Sequence, residues 1–179
     1  ALKVAGIRLP WLLVNLCGLL ITGWLLQHFQ TIHAKALFLL AFVPAIMGMA
    51  GNAGTQTSTI TVRGLATGRL GSSGSGRIRH FVWQQLKVGF ILGLVSAVLV
   101  ATVAYLYDRN LIFAGVVAGA LCLAIMLASV SGTLIPLLFR RFNVDPAVAA
   151  GPLVTTSSDI LGIVIYFGLV SILITSLIH

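Results

Sequence analysis

Apolar residues run along this chain in long blocks separated by short basic segments, not in the alternation of a half-buried strand or the narrow stripe of a surface helix. Charge-free stretches cover 9–34, 36–62, 88–107 and 110–139, and a fifth apolar region, 146–179, is interrupted only by Asp159. Each is at least about 20 residues, enough to cross a hydrocarbon core about 30 Å thick. The pattern predicts an all-α fold: a polytopic membrane protein with five transmembrane helices, over about 9–29, 36–62, 83–107, 111–138 and 147–178, in a single membrane domain spanning 1–179. A transmembrane β-barrel would need segments of alternating polarity, and Val88 to Tyr107 does not alternate. The first block is bounded by Trp11 and Trp24 and lacks a small-residue cleavage site, so it reads as a span and not as a signal peptide.

Composition sharpens this picture. Of 179 residues, 59% are hydrophobic and 8% charged, against roughly 25% charged in soluble domains, which excludes a water-soluble globule and makes the lipid bilayer the first partner. The 11 Lys and Arg face three acids, Asp108, Asp145 and Asp159. In a soluble protein such an excess would suggest nucleic acid, but that needs a basic face on a polar fold, so no nucleic-acid partner is expected. The bases instead set orientation. Nine of them (Lys3, Arg8, Arg63, Arg69, Arg77, Arg79, Lys87, Arg140 and Arg141) lie before the first span and in the second and fourth connections, and two (Lys35, Arg109) on the other side. This bias places the N-terminus in the cytoplasm and, after five crossings, the C-terminus outside. Trp11 and Trp83 then mark one interface, and Trp24, Tyr105 and Tyr107 the other.

The connections are short. Tyr107 to Asn110 leaves room for a tight turn, making the third and fourth spans antiparallel neighbours with Asp108 a solvated loop acid. The Gly/Ser run 71–76 has the composition of flexible coil. Cys17 and Cys122 lie in separate apolar blocks without Cys or His at ligand spacing and read as small hydrophobes, and the histidines at 28, 33, 80 and 179 as residues of span ends and loops.

Function should lie where a span carries groups that lipid rejects. The hydroxyls of the fourth span, Ser129, Ser131 and Thr133, are ordinary packing groups. The second span differs: after Pro44 it becomes Gly48-Met49-Ala50-Gly51-Asn52-Ala53-Gly54-Thr55-Gln56-Thr57-Ser58-Thr59 and ends at Arg63. Asn52, Gln56, Thr59 and Arg63 share one helical face, with Gly48 a turn earlier. Such a stripe is too polar for lipid, and it either packs against other helices or lines a water-filled path. The fifth span opens with Asp145-Pro146, contains Pro152, and puts Thr155, Asp159, Gly162 and Tyr166 on one face, with Ser158 beside Asp159. Asp159 stands roughly 20 Å along the helix from Asp145. A carboxylate so deep costs about 3 kcal/mol to insert, so it faces water or the protein interior, either serving a purpose or pairing with Arg63. The two polar clusters fall at the same depth, so two broken helices can converge on one site.

The ligands on offer are oxygens: one carboxylate, amide oxygens, hydroxyls and carbonyls. Without thiolate or imidazole the set suits hard cations such as Mg²⁺, Ca²⁺ or Na⁺ over zinc or copper. Mg²⁺ gives up its waters reluctantly, so a wide site with few carboxylates and many neutral acceptors can hold it largely hydrated. A homodimer would bring two Asp159 side chains to a shared axis and double the charge.

The stretch from Pro44 through Gly48-Met-Ala-Gly51-Asn52-Ala-Gly-Thr55-Gln56-Thr57, continuing Val62-Arg63-Gly64-Leu65-Ala66-Thr67-Gly68, resembles the signature of the MgtE family of magnesium channels. So do Asp145-Pro-Ala-Val-Ala-Ala-Gly-Pro-Leu-Val-Thr-Thr-Ser-Ser-Asp159-Ile-Leu-Gly162, Ile165-Tyr166-Phe167, and the opening Arg8-Leu-Pro-Trp11 with Asn15. The resemblance implies a homodimeric, Mg²⁺-selective channel in the cell membrane, a multi-pass pore domain lined by the second and fifth spans of both subunits. It implies that Asp159 holds hydrated Mg²⁺ as the transported ion, assisted by Asn52 and by oxygens near Gly48, Thr155 and Gly162, with Asp145 at the cytoplasmic mouth. Gly51, Thr55, Gln56, Thr59 and Ser158 would line the path. Family members commonly carry cytoplasmic regulatory domains; the chain begins just before the first span, so these are expected to be absent. Departures are Gly151, where some members have asparagine, and Gln84-Gln85, where members often have Lys-Glu. The alternatives are a secondary transporter coupling divalent cations to a proton or sodium gradient, and an assembly subunit whose polar faces bind partner helices. No paired nucleophile and base or phosphate loop suggests an enzyme.

Overall fold

The computed structural model describes residues 2–32, 37–70 and 75–178. Five α-helices form a bundle: α1 (Leu2–Ile32), α2 (Val43–Ala66), α3 (Ser75–Asp108), α4 (Leu111–Arg141) and α5 (Pro146–Ile178), with a 3-10 helix, Leu37–Phe42, leading into α2. His33, Lys35, His179 and the first four residues of the Gly/Ser run lie outside the described residues, while Ser75 and Gly76 already belong to α3.

Among the described residues, four helices are long and apolar enough to cross a membrane: Ala5–Phe29, Gly76–Asp108, Leu111–Arg141 and Pro146–Ile172. The expectation of five transmembrane helices is therefore corrected to four. α2 falls short because Asn52, Gln56, Arg63 and a run of hydroxyl residues are packed into its 24 residues. The arrangement with the N-terminus inside and the C-terminus outside needed an odd number of crossings, and it is withdrawn with the fifth span. Nor are the helices that carry the polar clusters broken. Pro44 sits in the first turn of α2, where a missing N–H costs nothing, and α5 continues through Pro152.

Local chemistry sets the helix ends. Asn110 caps α4, its side-chain oxygen accepting from the backbone N–H of Ile112 at 2.9 Å and Phe113 at 3.2 Å. Together with Arg109 at φ 54°, this produces the tight turn that folds α4 back on α3. The two helices pack antiparallel, with Gly89 beside Ser129 and Gly93 beside Cys122. Asp145 starts α5, its carboxylate accepting from the Ala147 N–H at 2.9 Å. The α4 hydroxyls bond back to their own helix, Ser129 to the Ile125 carbonyl at 2.9 Å and Thr133 to that of Ser129 at 3.1 Å.

α2 sits between α4 and α5. The apolar core runs along this junction, with Ile46, Ala50, Val117, Ala124, Ile125, Ala128, Ile163 and Phe167 nearly inaccessible. Backbones meet at Gly54: a methyl group there would lie 2.9 Å from both Ser158 Oγ and Val154 Cγ1 and 3.3 Å from the Ala128 carbonyl oxygen. From α4, Gly132 lies directly against the Gly54 carbonyl, leaving no room for a side chain. α1 is peripheral and rests mainly on α5. Gly18 admits Thr156 against the α1 backbone, the Thr156 hydroxyl donates to Asn15 Oδ1 at 2.8 Å, and Phe29 stacks on Phe167 at 5.0 Å.

Gly54→Ala should lower stability by about 1–3 kcal/mol through overpacking, whereas Gly115→Ala, where nothing lies within 4 Å, should be neutral or stabilising. Thermal unfolding of the purified chain in detergent distinguishes them.

Candidate functional site: an acidic crossing between α2 and α5

α2 and α5 run antiparallel, and the register can be followed along their length. Ala66 shares a cleft with Pro146 and Ala147, Gly54 meets Val154 and Ser158, Gly51 meets Thr155 and Asp159, and Gly162 meets Ile46 and Met47. Beyond the start of α2, the fully buried Tyr166 hydroxyl donates to the Leu39 carbonyl at 2.9 Å, fixing the 3-10 helix on α5.

Asp159 lies in the middle of this register and is 7% exposed. Gly51 forms the floor opposite it: a methyl group at Gly51 would stand 3.8 Å from Asp159 Oδ1 and 3.9 Å from Thr155 Cγ2. Among the described residues no side chain hydrogen-bonds or ion-pairs with the carboxylate, and Arg63 is exposed at the far end of α2. Pairing with Arg63, one of the two readings open from sequence, is thereby removed. Asp159 is a buried carboxylate with its acceptor capacity unused.

The surrounding hydroxyls are oriented by their own helices. Thr55 donates to the Gly51 carbonyl at 2.6 Å, Thr59 to that of Thr55 at 2.9 Å, and Thr155 to that of Gly151 at 3.0 Å. A hydroxyl whose proton is committed in this way offers only lone pairs outward. Beside the carboxylate, Thr55 and Thr155 consequently present acceptors, an environment for a cation or for the donor hydrogens of a cation's water shell. Among the described residues no three His, Cys, Asp or Glu side chains gather, so the site is one carboxylate with neutral oxygens.

The structure brings Asp159, Thr155, Gly162, Ser158, Gly51 and Thr55 together at the crossing. It sets the polar stripe of α2 apart: Gly48, Asn52, Gln56 and Thr59 are exposed on the outward face. Asp145 caps the start of α5, outside the crossing. Between these two places lies a cleft of about 370 Å³ touched by Thr55, Ser58, Thr59, Arg63, Ala147 and Gly151, which leads from the basic end of the bundle toward the crossing. Ser158 Oγ is sealed against Gly54 without a hydrogen-bond partner.

The sequence reading missed how α5 is held. Thr156, next to the functional face, is clamped to Asn15 and Gly18 of α1, and an asparagine alone among apolar residues of a span was the available signal. Nor does the sequence single out Gly54 from the other glycines of α2, although Gly54 is where three helices meet.

These features define a multi-pass α-helical membrane domain with a buried acidic crossing between two of its helices. The chain belongs to the MgtE family: the family model described as "Divalent cation transporter" matches residues 43–169, more than half of the chain. It is 36% identical over 170 residues to "Magnesium transporter MgtE" of Bacillus subtilis, and equally to the protein of that name from Enterococcus faecalis, in each case covering 95% of this chain and 37% of the relative. To "Magnesium transporter MgtE" of Thermus thermophilus it is 32% identical over 167 residues, 93% of this chain and 36% of that protein. The chain thus spans little more than a third of the length of these relatives.

Ser158→Ala removes a buried hydroxyl that has no partner, and should leave stability unchanged or raise it by up to about 1 kcal/mol. Thr156→Val should cost about 1 kcal/mol, a loss that vanishes when Asn15 is already replaced by Leu. Unfolding measurements on the single and double variants read both effects.

Proposed function

We propose that this domain moves Mg²⁺ across the membrane as a channel, with the ion passing largely hydrated between α2 and α5 of two copies of the chain. The observation that carries this reading is the buried, unpaired Asp159 carboxylate facing the glycine floor of α2. The family's description as divalent cation transporters and the magnesium named for the relatives support it. Asp159 supplies the charge and the acceptor for the ion's waters. Thr155, with the carbonyls near Gly48, Gly51 and Gly162, adds neutral acceptors, Asn52 an amide oxygen, and Thr55, Gln56, Thr59 and Ser158 belong to the walls. Asp145 uses one carboxylate oxygen to cap α5, which leaves the other for a cation at the mouth.

The outward face of α2 supports the second copy. Gly48, Asn52, Gln56, Thr59 and Arg63 are exposed on one protomer, and amide groups in contact with lipid would go unsatisfied at a cost of several kcal/mol. A symmetric partner turns that stripe toward a shared aqueous path and brings a second Asp159 to it.

In proteoliposomes Mg²⁺ flux should fall at least about tenfold for Asp159→Asn, which removes the one charge at the crossing, and persist for Asp108→Asn. Equal flux in the wild type and Asp159→Asn sinks the reading. At fixed voltage, collapsing a proton or sodium gradient should leave the flux unchanged, and a dependence on either gradient would identify a coupled transporter. With Cys17 and Cys122 first replaced by Ala, Gln56→Cys should cross-link two copies in the membrane and Leu99→Cys on the outer face of α3 should not; the reverse pattern contradicts the proposed dimer.

A further inference from the structure

The basic end of the bundle contains a shaped apolar slot. α2 ends in a hook in which the Thr67 N–H donates to the Arg63 carbonyl at 3.0 Å, Gly68 to Leu65 at 3.2 Å and Leu70 to Gly64 at 3.1 Å. Gly68 makes this turn possible at φ 74°, in the left-handed region. The hook folds Leu70 back over Gly64, where it is 7% exposed. Leu70 becomes one wall of a cavity of about 460 Å³ shared with Leu65, Ile78 and Leu137, at the end of α4 where Arg140 and Arg141 stand exposed. Leu134 and Leu138 also line it and remain 43% and 49% exposed, so the slot opens on the outer, lipid-facing side of the bundle. Asp145 is the one acid at this end among the described residues, and it forms no ion pair with either arginine.

We propose that this slot binds an anionic phospholipid, with the phosphate on Arg140 and Arg141 and an acyl chain along Leu137, Ile78 and Leu70. Two guanidinium groups offer forked donors matched to phosphate oxygens. Basic pockets between membrane helices are the setting in which anionic headgroups are held. The apolar walls decide the source of the phosphate: a free anion would use the arginines and leave the slot unfilled, whereas a lipid uses both. A choline headgroup would fill the slot but bring a cation to the arginines. The site lies on the hook of α2 and the end of α4, away from the acidic crossing, and does not depend on which ion is moved.

Native mass spectrometry of the purified chain, titrated with phosphatidylglycerol and phosphatidylcholine of the same acyl chains, tests this. Phosphatidylglycerol should be retained preferentially, and Arg140→Gln with Arg141→Gln should lower its retention about tenfold. Arg79→Gln with Lys87→Gln, which removes two charges from α3, should change it by less than about twofold. Leu137→Trp, which fills the slot and keeps both arginines, should reduce retention as strongly as the first pair. Equal retention of the two lipids, equal losses in the two double variants, unchanged retention in Leu137→Trp, or displacement of the lipid by an equal concentration of inorganic phosphate would each overturn the proposal.

Discussion

The arrangement depends on the contact at Gly54, where the backbones of α2 and α4 meet and side chains of α5 close in. Gly132 of α4 and Ser158 with Val154 of α5 converge on it from two sides, and a single β-carbon would hold them apart. Because α2 enters so closely between its neighbours, the middle of its buried side is sealed by small residues, Ala50, Gly51, Ala53 and Gly54. Register follows from this contact. With Gly54 fixed opposite Ser158, one helical turn brings Gly51 opposite Asp159, a further turn brings Met47 opposite Gly162, and the end of the sequence delivers Tyr166 to the Leu39 carbonyl. Small residues here are a positioning device: they set the depth of the carboxylate and the width of the gap before it.

The electrostatic character of the crossing comes from bonds that point away from it. Thr55 and Thr155 each surrender a proton to a carbonyl of the preceding turn, an arrangement open to any threonine in a helix. On facing helices, the bonds of Thr55 and Thr155 turn hydroxyl lone pairs toward the unpaired carboxylate. The net charge of +8 does not contradict this, because Arg63, Arg140 and Arg141 belong to one end of the bundle and Asp159 to its middle.

Much of this was legible in the sequence because membranes impose strict rules. The apolar blocks located the helices, and the fifth block showed Asp159 to be set apart from every other charge. The helical face of α2 was legible too, but not its direction: Asn52, Gln56 and Thr59 form a true stripe, yet they look outward while Gly51, Thr55 and Ser58 look toward α5. Periodicity defines faces and leaves their rotation about the bundle open. That rotation is settled by glycine contacts involving residues more than seventy positions apart, such as Gly54 with Gly132. Counting spans failed because a charge-free block is not necessarily an apolar one: 36–62 carries no charge, yet Asn52, Gln56 and a run of hydroxyl residues leave α2 short of the hydropathy of a span.

The Asn15 to Thr156 bond joins the first helix to the last. During synthesis Asn15 leaves the ribosome long before Thr156 exists, so α1 must wait in the bilayer with an unmatched amide while three further helices are made. Its few other attachments, such as the ring contact of Trp11 with Phe139 and the stacking of Phe29 on Phe167, also involve late segments. Assembly therefore closes in a ring, and α1 is held loosely until the final helix arrives. A quality-control system that recognises exposed polar groups in membrane helices would find its clearest target in this chain during that interval.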